Sequence, residues 1–85
     1  MSHTPSKTVG NLTIYDNGYN GLSWERCYRD EFGKPHKEYE GISAADMLEY
    51  LYEENLPNNF REVFTTEEQD LFIKEYYRIM SRLRA

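Results

Sequence analysis

Residues 9–30 read VGNLTIYDNGYNGLSWERCYRD, and this stretch decides the fold. Leu12 and Ile14 alternate with Asn11, Thr13 and Tyr15, the period of two that a half-buried strand requires. Residues 16–21, DNGYNG, follow at once, and Asn17-Gly18 and Asn20-Gly21 both suit positive φ in a tight turn. Beyond the turn Leu22, Trp24 and Tyr28 share one face of a second strand, with Ser23, Glu25, Cys27 and Arg29 on the other. A β-hairpin is therefore the expected nucleus of the domain.

Working outward, EFGKP (31–35) is a second turn and HKEYE (36–40) a short third strand whose charges discourage edge-to-edge pairing. The meander spans 9–41. Residues 1–8 are polar and aperiodic, and read as a disordered tail. On the other side, SAADMLEYLYEENLP (43–57) predicts a helix over 43–55. Ser43 caps it with Asp46 three residues on, Ile42 packs on Met47 as a hydrophobic staple, and Pro57 ends it. At about 100° per residue, Ala44, Met47, Leu48, Leu51 and Asn55 fall on one face and Asp46, Glu49, Tyr50 and Glu53 on the other.

NNFREVF (58–64) is a short turn or a single turn of helix. A second helix covers 66–84, with Thr65–Glu68 or Thr66–Gln69 as cap, acids in its first turn and Arg78, Arg82 and Arg84 near its end. Phe72, Ile73, Tyr76, Ile79, Met80 and Leu83 form its apolar stripe, with Leu71 and Tyr77 outside the centre. The expected fold class is α+β: a small antiparallel two- to three-stranded β-meander followed by two α-helices packed on one face.

Length allows one domain, with a core thin enough that stability must come largely from big apolar side chains. Eight Tyr, four Phe and one Trp in 85 residues supply them. Net charge is −5, unevenly spread: residues 38–70 carry ten acids against Arg61 alone, whereas 71–85 carry four cations against Glu75. A middle segment that acidic repels phosphate and attracts basic protein surfaces. A single cysteine, Cys27, excludes an internal disulfide, and no apolar run reaches membrane-span length, so a cytoplasmic location is expected (the host cytoplasm if the chain is phage-encoded).

Signatures of catalysis are missing. There is no phosphate-binding Gly-rich loop, no nucleophile elbow and no metal-ligand spacing, so no catalytic residue, cofactor or metal is expected. Cys27 with His36 offers a thiolate pair only if the strands bring the two together, and a small strand residue beside a surface imidazole is the plainer reading.

The feature that stands out is the outer face of the first helix. Asp46–Glu49 and Glu49–Glu53 are like-charge neighbours, Glu54 adds charge nearby, and no basic residue on that helix relieves them. Tyr50 sits among these carboxylates, an aromatic anchor within a polar rim. Tyr19, at the hairpin tip, is a second recognition candidate. The partner-binding residues are thus Asp46, Glu49, Tyr50, Glu53, Glu54 and Tyr19.

In size and charge the chain resembles the small acidic proteins that phages and mobile elements use against host defence, anti-CRISPR proteins among them. This resemblance implies an inhibitor; the missing catalytic residues and the carboxylates of the first helix lead to a non-enzymatic binding protein that docks this helix on a basic, nucleic-acid-handling protein. Two alternatives follow from other residues. Arg78, Arg82 and Arg84 make a basic stripe that would suit a small nucleic-acid-binding regulator. Leu71, Tyr77 and sheet-edge residues would suit a homodimer or other homo-oligomeric accessory.

Overall fold

The computed structural model describes residues 4–50, 54, 56 and 63–85. Four antiparallel strands lie in chain order: β1 (Ser6–Val9), β2 (Leu12–Asp16), β3 (Gly21–Arg29) and β4 (Pro35–Ser43). Among the described residues, two complete helices follow, α1 (Ala44–Glu49) and α2 (Thr66–Arg84). The α+β class with a meander and two helices stands, with one strand more than the sequence suggests.

That extra strand begins at Ser6, inside the stretch expected to be tail. Its Lys7 lies opposite Ile14 and Val9 opposite Leu12. The helix-facing position that usually carries an apolar residue is taken by Lys7, whose Nζ meets Glu75 Oε2 at 3.1 Å. A strand that satisfies its inward position with an ion pair shows no hydrophobic alternation, which hides it from pattern reading. β4 is likewise longer than HKEYE, because it pairs with β3 from Pro35 through Ser43 and ends with Ile42 buried opposite Leu22.

Helix α2 lies across one face of the sheet. Leu12, Ile14, Leu22, Trp24 and Ile42 from the strands meet Met47 of α1 and Phe72, Tyr76, Ile79 and Met80 of α2 in one core. Trp24 stands edge-on to Phe64, with ring centroids 5.2 Å apart, so it is a core residue and not a surface one. Of the predicted α2 stripe, Ile73 and Leu83 are only half-buried. Glu68 and Glu75 share the buried face instead.

One glycine ties the sheet to α1. Gly21 opens β3 at φ +112°, and a Cβ there would lie 2.1 Å from the Ile42 carbonyl oxygen and 2.9 Å from the Ala44 nitrogen. Only a residue without a side chain lets the end of β4 and the start of α1 approach this closely.

Candidate functional site

Helix α1 starts as the sequence predicts. Ser43 Oγ accepts the Asp46 N–H at 3.2 Å, and Ile42 and Met47 are both buried. It ends sooner. Tyr50, at φ −116° and ψ 155°, has left the helix although its N–H still reaches the Asp46 carbonyl. The Tyr50 carbonyl accepts Tyr76 Oη at 3.3 Å, so a side chain of α2 holds the group that a longer helix would have used internally. The expected helix to residue 55 therefore closes at Glu49, and Tyr50 belongs to the cap, not to a helical face. Leu48, expected inside, is 43% exposed.

The acidic character survives this shortening. Asp46, Glu49 and Glu54 are exposed, and Tyr50 is 42% exposed. Neither Asp46 nor Glu49 has a side-chain ion pair among the described residues. Glu53 lies outside the described residues, as do Leu51, Asn55 and most of the 58–64 segment.

Tyr19 sits at the same end of the sheet. It belongs to a single 3-10 turn, Gly18–Asn20, which leads straight into Gly21 opposite Ser43. The residue is 74% exposed, and its ring is overlain by the Arg82 guanidinium at 5.8 Å from the centroid. Arg82 also donates to the Gly18 carbonyl at 2.9 Å and to Asp16. The hairpin tip is thus locked to the end of α2, and Tyr19 projects from a braced turn.

Asp16 is the hub of that bracing. It accepts from Arg82, from Arg78 Nη2 at 2.9 Å and from the Gly18 N–H. Arg82's hydrogen bonds, with help from Gly18 and Arg78, hold its carboxyl well below the usual carboxylate range despite partial burial. Arg78 in turn bonds Glu75, which also receives Lys7. The stripe Arg78–Arg82–Arg84 is therefore not a free cationic face: its first two members are held by Asp16 and Glu75.

A second buried pair joins sheet and helix. Arg26 Nε and Nη2 contact the Glu68 carboxylate at 2.9–3.2 Å, and the side chains are 7% and 1% exposed. Glu68 also accepts the N–H of Thr65, completing the predicted capping box, and that of Asn11 in the β1–β2 turn. Burial works to raise its pKa, but the hydrogen bonds from Arg26, Thr65 and Asn11 outweigh it, and the net shift is downward.

The suggested Cys27–His36 pair does not form. Cys27 is opposite Lys37 and His36 opposite Tyr28, so the thiol and the imidazole point to different faces of the sheet. His36 stacks on Tyr28 and bonds Asp30 Oδ2 at 2.8 Å. Among the described residues no His, Cys, Asp and Glu group is arranged to hold a metal ion, and no helix is long and apolar enough to cross a membrane.

Sequence reasoning missed both ion-pair systems. The signal for one was present: Arg26 shares the parity of Leu22, Trp24 and Tyr28 on β3, and Glu68 falls on the apolar side of α2 one turn before Phe72. Comparison with known proteins yields no match to a family model, a curated protein or a solved structure.

Proposed function

We propose that this chain is a non-enzymatic protein-binding module, acting in the cytoplasm, whose α1 end docks on a basic surface of a nucleic-acid-handling protein. The observation that carries the reading is that Asp46 and Glu49 have no side-chain ion pair among the described residues, while three arginines of the fold are engaged elsewhere. Arg26 is spent on Glu68, and Arg78 and Arg82 on Asp16 and Glu75. Carboxylates without a paired cation are not neutralised locally, and a field of one sign, though screened by salt, speeds the approach of an oppositely charged partner.

Tyr50, Leu48 and Tyr19 supply exposed apolar surface at the same end. Carboxylates around an aromatic anchor occupy lysine and arginine sites that otherwise take phosphate, which makes inhibition by mimicry of nucleic acid the natural outcome. The size-and-charge likeness to anti-CRISPR proteins points the same way. Direct nucleic-acid binding has less support, since the engaged Arg78 and Arg82 present a neutralised patch.

The test is capture of the partner from native lysate at low and high salt, using wild type and D46K/E49K as bait. Wild type should retain a basic protein at low salt, release it as salt rises, and lose it in the double variant. A partner held equally by both baits at every salt concentration would refute docking through α1. A gel shift with short DNA and RNA at low salt should be negative, and salt-sensitive binding there would favour the nucleic-acid reading.

A further inference from the structure

The sheet face turned away from α2 contains a built recess. Tyr15, Ser23, Glu25 and Tyr39, with Thr4 and Asn17, line a shallow depression of about 250 Å³ that is open to solvent. The register explains how they meet. Glu25 lies directly across from Tyr39 on β4, and Tyr15 lies across from Ser23 in the adjoining row. Tyr15 Oη then reaches diagonally to Glu25 Oε1 at 2.5 Å, and Asn17 Nδ2 donates to Ser23 Oγ at 3.2 Å to close the floor.

Opposite Ser23 stands Gly41, where an added Cβ would meet nothing within 4 Å. The row that would otherwise be filled by a β4 side chain is left open beside the two tyrosines. Tyr39 is 66% exposed, so its ring is not held in the core. Two aromatic walls, a small polar floor and one carboxylate are a combination that selects by charge.

We infer that this recess binds an organic cation, an alkylammonium or guanidinium head group, with Glu25 as counter-ion and the Tyr15 and Tyr39 rings as walls. The negative π-faces and the carboxylate attract the same sign of charge, and apolar substituents on the cation gain contact with the rings. Glu25 remains ionised because Tyr15 and Lys37 hydrogen-bond it, which lowers its pKa. Lys37 Nζ, 3.3 Å from Glu25 Oε2, is a resident ammonium drawn to the same carboxylate. Its side chain is largely exposed, and it competes with an incoming ligand without filling the recess.

The cation has two sources, a free quaternary ammonium compound or an arginine or lysine of a partner. The recess does not depend on the function proposed above.

The experiment is an NMR titration of the ¹⁵N-labelled full chain with tetramethylammonium chloride and with N-acetyl-arginine amide. Sodium chloride controls for charge and tert-butanol for shape. Either cation should shift residues 15, 23, 25, 39 and 41 saturably, with a Kd on the order of millimolar. Tyr39→Ala, Glu25→Gln and the recess-filling Gly41→Val should each weaken binding by about fivefold or more, with an otherwise unchanged spectrum. Lys37→Ala should tighten it about threefold by removing the competitor.

Preference for the arginine amide would assign a partner side chain, and preference for tetramethylammonium a free ligand. Equal shifts with sodium or tert-butanol, or unchanged affinity in Tyr39→Ala and Gly41→Val, would overturn the inference. D46K/E49K should bind both probes as wild type does, so the recess and the α1 surface stand or fall separately.

Discussion

Replacing Glu68 by Ala removes one carboxylate with three dependants. The Arg26 guanidinium, 7% exposed, loses its counter-ion, and the N–H groups of Asn11 and Thr65 lose their acceptor. Breaking a buried pair from one side costs about 3–5 kcal/mol, and the loss of the reciprocal capping contact adds about 1 kcal/mol. A domain of 85 residues has roughly 4–13 kcal/mol in total at typical values per residue. Glu68→Ala should therefore remove between about a third and all of the stability.

Arg26→Met should cost less, about 2–3 kcal/mol, because Glu68 keeps its two backbone donors and has the option of taking up a proton. The double variant Arg26→Met/Glu68→Met should recover part of the loss, since no charge is then stranded. Urea unfolding followed by Trp24 fluorescence reads all three, as Trp24 lies in the same core. Because the folded pKa of Glu68 lies below its ordinary 4.5, its contribution is complete above that value and fades as pH falls through the folded value. The wild-type advantage over Glu68→Ala should shrink accordingly in acid. A cost below about 1 kcal/mol, or a larger effect from Arg26→Met than from Glu68→Ala, would refute the reasoning.

Asp16→Asn strips the shared acceptor from Arg78 and Arg82 and should lower stability by about 1–2 kcal/mol by the same denaturation assay. The Asp16 pKa is depressed, so the wild-type margin over this variant should be full above the ordinary carboxylate value of 3.8, shrink below it, and be lost only as pH falls through the much lower folded value. Gly21→Ala forces a Cβ against the Ile42 carbonyl oxygen at a backbone angle that side chains avoid, and should cost about 3 kcal/mol or more in thermal unfolding.

The parts of this fold governed by periodicity were readable in advance. Leu12, Ile14, Leu22 and Trp24 are inside as their alternation requires, and Ser43 and Thr65 cap the two helices. Strand β1 was not readable, because Lys7 replaces an apolar residue at its inward position and finds Glu75 sixty-eight residues away. The early end of α1 was equally hidden, since it turns on a long-range hydrogen bond from Tyr76. Of the candidate site, the exposure of Asp46 and Glu49 followed from the helical pattern, whereas Tyr50 is exposed from the cap and not from a helical face. That Arg78 and Arg82 of α2 are occupied did not follow from pattern, because Asp16 meets them only once the sheet has formed. The recess on the outer face was out of reach too: it depends on the register that sets Glu25 against Tyr39 and Ser23 against Gly41.

Glu49 turns the bare acidic end of α1 into a question of stability. It is the last residue of the helix, where the negative end of the dipole favours a cation, and no basic residue occupies that last turn. It also lies three residues from Asp46, a like charge on an adjoining turn. Both effects make the native residue locally unfavourable. Glu49→Lys should therefore stabilise the fold by about 0.5–1 kcal/mol at low ionic strength, and salt should erode the gain. The same substitution should weaken docking on a basic partner, so fold and function would move in opposite directions. If Glu49→Lys proves destabilising in urea, Glu49 has a favourable contact within the folded chain, and the acidic end of α1 is not bare after all.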